Sequence, residues 1–114
     1  MNLSKATIFT TFPEVGSASE AAGFHQVAQA CKLTRYGMDC YAYALLAAGH
    51  IDLVIEAGLE AYDIQAPIAL VRAAGGVATD WRGGDPMNGG RCICAATPEL
   101  HKAALEILQQ VPLD

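Results

Sequence analysis

Two carboxylates seven residues apart, Glu56 and Asp63, carry most of the chemistry that this sequence offers. Asp63 stands at the mouth of a segment running to Ala74 in which only Gln65 and Arg72 interrupt apolar side chains. A helix this apolar must be buried. An Asp at its start caps the helix, binds a cation, or does both, because a carboxylate has two oxygens. Glu56 follows the apolar strand Ile51–Ile55, and ligands collect at strand ends in α/β sheets; the plainer reading is a solvated acid at a strand terminus. Asp39 comes after Gly37-Met38 and before another helix, which it can cap. The peptide N–H groups of Gly37 to Asp39 can bind a hydroxyl or an anion at that helix start.

These groups need elements to hold them, and the pattern alternates strand and helix. Ala6 to Thr11 is short and β-branched, hence a strand. Ser17-Ala-Ser-Glu20 is a capping-box pattern opening a helix to about Lys32, with Ala21, Phe24, Ala28 and Cys31 at helical spacing. Leu33 to Tyr36 reads as a strand, Cys40 to Ala48 as a helix, and Ile51 to Ile55 as a strand. Asp63 caps the next helix, with Pro67 in its first turn or just beyond and Gly75 closing it. Gly76 to Trp81 and Arg91 to Ala96 are strands joined by a glycine-rich loop, so they can pair antiparallel. Thr97-Pro98 opens a last amphipathic helix through Leu100, Ala103, Ala104, Ile107, Leu108 and Val111. Repeated βα units predict an α/β fold: a mixed, largely parallel sheet of about five strands with helices on both faces. The 114 residues suit a single domain.

Composition narrows the function further. The chain is 53% hydrophobic and 17% charged, so it folds, and it hides some apolar surface against a partner. A net charge of −5 with scattered Lys and Arg argues against nucleic acid and against anionic membranes. The longest apolar stretch, Tyr41 to Gly49, is about half of what spans a bilayer, and no signal-peptide core follows Met1; a cytoplasmic location is expected. Cys31, Cys40, Cys92 and Cys94 form no C-x-x-C and read as reduced, buried small hydrophobes. His25 and His101 read as surface residues and His50 as part of a turn; none has a catalytic setting. Gly83-Gly84-Asp85-Pro86 lacks the strand–loop–helix context of a phosphate loop.

Read together, these residues resemble the C-terminal half of the inositol monophosphatase family. Tyr62-Asp63-Ile-Gln-Ala66 through Ala73-Ala-Gly-Gly76 is similar to the family's C-terminal signature, with Tyr62 where the family usually has Trp. Arg35-Tyr-Gly-Met-Asp39-Cys-Tyr41 is similar to the histidinol-phosphate phosphatase branch. The resemblance implies the C-terminal lobe of that fold and hydrolysis of small phosphate monoesters with Mg²⁺ ions, one activating water and others bracing the phosphate. It implies that Asp63 is a metal ligand and that Glu56, Asp39 and Gly37 touch the organic part of a small phosphorylated metabolite.

Two motifs of the family are missing from these residues: G-E-x-x-x-x-E and D-P-I/L-D-G-T, which supply most metal ligands. Asp85-Pro86 continues as Met87-Asn88-Gly89 and is not the second of them. The expectation is a substrate-side lobe without catalytic residues of its own, binding Mg²⁺ weakly or not at all alone. It would work with a separate N-terminal lobe or associate with itself. The alternative is a non-catalytic module for small-molecule binding or oligomerisation.

Overall fold

The computed structural model describes residues 2–11, 16–37 and 41–112. After a short 3-10 turn at Leu3–Lys5, the chain forms β1 (Thr7–Thr10), α1 (Ala18–Ala30), β2 (Leu33–Tyr36), α2 (Tyr41–Ala47) and β3 (Leu53–Leu59). It continues through α3 (Ala61–Ala73), β4 (Val77–Thr79), β5 (Gly90–Ala95) and α4 (Pro98–Leu108). The strands make one mixed sheet in the order β2-β1-β3-β5-β4. β1 pairs in parallel with β2 and with β3, whereas β5 runs antiparallel to both β3 and β4.

Strand parity decides which helix pair each side chain meets, because neighbours along a strand point to opposite faces. Ile8, Leu53, Ile55, Ile93 and Ala95 face α1 and α4, where Phe24, Val27, Leu100 and Leu108 complete a fully buried layer. Phe9, Val54, Cys92 and Cys94 face α2 and α3, and meet Tyr43, Leu46, Ile64 and Ile68. Trp81, just beyond β4, joins the first layer and donates its indole N–H to the Cys92 carbonyl at 3.2 Å. α1 begins with the expected capping box. The Ser17 N–H donates to Glu20 Oε1 at 2.7 Å, and the Glu20 N–H donates to Ser17 Oγ at 3.3 Å.

Five expectations are corrected, the first being the full burial of α3, which buries Ile64, Ile68 and Val71 but leaves Tyr62 and Leu70 exposed. β3 does not stop at Ile55 but runs on to Leu59, so Glu56 lies inside the strand. α3 starts at Ala61 with Glu60 as its N-cap, so Asp63 is the third helical residue and not the cap. Pro67 therefore sits deeper in α3, and the carbonyl it leaves without an intrahelical donor is that of Asp63, four residues back. His101 is half-buried, with Nε2 at 2.6 Å from Thr79 Oγ1, which ties α4 to the end of β4.

Candidate active site at the carboxyl edge of the parallel strands

Because β1, β2 and β3 are parallel, their carboxyl ends share one edge of the sheet. Gly37, just after β2, donates its N–H to the carbonyls of Thr10 and Thr11, each at 3.0 Å. Its φ of +90° is a conformation that side chains disfavour, so the turn requires glycine here. Thr11 in turn reaches β3. Its N–H donates to Glu56 Oε1 at 3.0 Å, and its hydroxyl hydrogen-bonds the same oxygen. Gly37 and Glu56, two of the expected ligand residues, are thus joined through Thr11. Asp39, the third, lies outside the described residues.

Glu56 is not a solvated acid; it is only 6% exposed. Parity puts it on the α2–α3 face, opposite Cys92 of β5. From α2, the Tyr43 hydroxyl donates to Glu56 Oε2 at 2.6 Å. Cys92 Sγ lies 3.4 Å from the same hydroxyl. Tyr43 has one proton and gives it to Glu56, so the thiol is the donor to the phenolic oxygen. Burial, the neighbouring Cys92 and the Glu56 carboxylate all push the Tyr43 phenol far above its ordinary range, and it stays a donor.

The Cys94 and Cys31 thiols are likewise favoured in their neutral form. The hydrogen bond with Cys92 and then burial raise Cys94 well above the usual thiol value. Burial, helped by the Asp52 charge, pushes Cys31 up to about 11. Cys31, Cys92 and Cys94 are free thiols, and Cys92 and Cys94 are buried packing groups of the sheet.

Beyond Glu56 the β3–β5 register slips before Leu59, a bulge in which Gly58 adopts φ +73°. The bulge turns the chain out of the sheet toward α3. Asp63 there is exposed, and its Oδ2 accepts the Glu60 N–H at 3.1 Å. That bond is the returning half of a capping box, so the carboxylate is oriented by the helix start without being used up. Connectivity places Asp63 on the same edge of the sheet as Glu56.

A divalent cation is a poor fit to these residues alone. Mg²⁺ demands about six oxygens in near-octahedral geometry. Both oxygens of Glu56 already accept from Thr11 and Tyr43, leaving Asp63 as the available carboxylate. Among the described residues no group of three His, Cys, Asp or Glu could hold a metal ion. What the edge does offer is a buried carboxylate with three neutral donors on it and room for about one more hydrogen bond from a ligand.

Residues 3–113 match the sequence profile of the Inositol monophosphatase family. The chain belongs to that family. A chloroplastic bifunctional phosphatase of Arabidopsis thaliana is 38% identical over 116 aligned residues, covering 94% of this chain but 34% of its own length. An inositol-1-monophosphatase of Rhizobium meliloti is 32% identical, with 95% of this chain and 42% of the relative covered. The solved structure of an inositol monophosphatase from Zymomonas mobilis superposes with a TM-score of 0.91 at 35% identity, over 96% of this chain and 44% of that one. This member therefore spans between a third and a half of the length of the relatives it matches. The mixed five-stranded sheet with helices on both faces is the family's architecture.

Thr11 and Tyr43 were not among the expected site residues. Tyr43 carried a usable signal: it is an aromatic with a polar tip, set among Ala and Leu in an apolar helix, and such a tip usually finds a partner when buried. Thr11 carried none, because its role comes from strand adjacency.

Proposed function

We propose that this chain is the substrate-side lobe of a Mg²⁺-dependent phosphomonoesterase of the inositol monophosphatase and histidinol-phosphatase type, and that it does not turn over substrate by itself. The observation that carries this reading is the shared edge where Gly37, Thr11 and Glu56 are hydrogen-bonded together beside the start of α3. In this reading Glu56 and Gly37, with Asp39, meet the organic part of a small phosphorylated metabolite. Asp63 contributes one ligand to a metal whose other ligands come from outside these residues. The stretch from Arg35 to Tyr41 favours a histidinol-phosphate type of substrate. Mg²⁺, when held by the completed site, would supply electrophilic stabilisation of the phosphate; this lobe would orient the rest of the molecule. The free thiols of Cys31, Cys92 and Cys94 suit a reducing compartment such as the cytoplasm.

A second reading, a non-catalytic module that binds or oligomerises, is favoured by the outer side of α3. Tyr62 is 81% and Leu70 46% exposed, and Ala66, Ala69 and Ala73 lie exposed at helical spacing beside them. In the first reading a separate N-terminal lobe covers this stripe; in the second a second copy of the chain does.

Phosphate release separates the two. Histidinol phosphate, inositol phosphate and p-nitrophenyl phosphate should be stable to the pure chain with Mg²⁺. One of them should be hydrolysed once a polypeptide carrying the two absent motifs is added. Turnover by the pure chain at ordinary enzyme rates contradicts its incompleteness, and silence in both mixtures contradicts the phosphatase reading.

A further inference from the structure

The role of Glu56 in ligand binding is the reading proposed above, and the inference here rests on it. We propose that Tyr43 is a positioning residue: with Thr11 it clamps the Glu56 carboxylate from both sides, fixing the direction in which its remaining lone pair meets a ligand hydroxyl or amine. Each carboxylate oxygen is held by a different element. Oε1 takes two bonds from Thr11 at the end of β1, and Oε2 takes one from Tyr43 on α2 at 2.6 Å. Rotation of the carboxylate plane must break one set or the other.

The clamp has a chemical character of its own. All its donors are neutral, so they orient the carboxylate without cancelling its charge, as a guanidinium would. The Arg91 guanidinium, by contrast, pairs with Glu20. Cys92 completes the arrangement by donating to the Tyr43 oxygen, which strengthens the phenol as a donor in its turn. The clamp also links both ends of the edge. Thr11 holds Glu56 with its N–H and Gly37 with its carbonyl, so slack introduced at Tyr43 must be felt at Thr11.

The test uses the full 114-residue chain. Wild type, Tyr43→Phe, Thr11→Val, Thr11→Ser and Glu56→Gln are compared by amide hydrogen exchange and by NMR titration with myo-inositol and with histidinol as the probes. In Tyr43→Phe the Thr11 amide should exchange about tenfold faster while the Val54 amide keeps its protection. Affinity for the probe that binds should fall several-fold in Tyr43→Phe and Thr11→Val, return in Thr11→Ser, and fall no further when Tyr43→Phe is added to Glu56→Gln. A Thr11 amide as protected in folded Tyr43→Phe as in wild type overturns the clamp. Weaker binding in Glu56→Gln with none in Tyr43→Phe also overturns it, and leaves the ligand role of Glu56 standing. If neither myo-inositol nor histidinol shifts an amide of Thr11 or Gly37 in wild type, the ligand role itself falls, and the positioning role with it. If Tyr43→Phe does not fold, the Thr11→Val and Thr11→Ser pair decides: loss without rescue by serine overturns the proposal.

Discussion

Glu20 shows how a single buried acid ties distant parts of the chain together. Burial alone would raise its pKa. The Ser17 N–H and the Arg91 guanidinium outweigh that and hold the carboxyl below the usual range. A depressed acid stabilises the fold fully above its unfolded value, about 4.3, and that stability is lost as pH falls through the folded value. The thermal midpoint of wild type should therefore drop more steeply below about pH 4.3 than that of Glu20→Gln. Parallel pH curves for the two proteins would contradict this. His101, which burial lowers, acts with the same sign in a higher window, from about 6.5 downward. The Ser17–Glu20 half of this arrangement was legible in the sequence, because a capping box is local. The Arg91 half was not, because it joins residues 71 positions apart. Glu56 divides the same way. Its place near a strand end could be read from the chain, but its burial under Tyr43 depends on β5 lying alongside β3.

The bulge at Gly58 lets one strand carry Glu56 into the core and then deliver Asp63 to the surface. A Cβ at position 58 would meet nothing within 4 Å, so a substitution there tests the backbone alone. With φ at +73°, Gly58→Ala should lose about 1–2 kcal/mol in urea denaturation, without a change in slope. An unchanged midpoint would mean that the strand can straighten at no penalty. This bulge also explains why the sequence points to a strand ending at Ile55. Glu56-Ala-Gly58 looks like punctuation after Ile55, whereas the glycine is an irregularity inside a strand that continues. The start of α3 was displaced for a related reason: Asp63 resembles a cap, yet it acts from the third helical position as the partner of one. Elements whose signals are local, such as α1 and α4, emerged as expected.

An apolar chain with the outer side of α3 uncovered should not stay alone at high concentration. Sedimentation is expected to show a reversible twofold association that Leu70→Gln and Tyr62→Ser weaken. A monodisperse wild-type monomer over a wide concentration range would count against it. The alternation of strand and helix was enough to anticipate the layered architecture. The strand order was not readable, because sequence neighbours β3 and β4 are separated by β5. That separation has a consequence for how the protein is made. β3 and β4 leave the ribosome before the one strand that pairs with both of them, so the antiparallel half of the sheet must wait for Gly90–Ala95. Until then β3 presents a bare backbone edge just where Glu56 will later be enclosed, and a nascent chain stalled before Arg91 would be the most adhesive form of this protein.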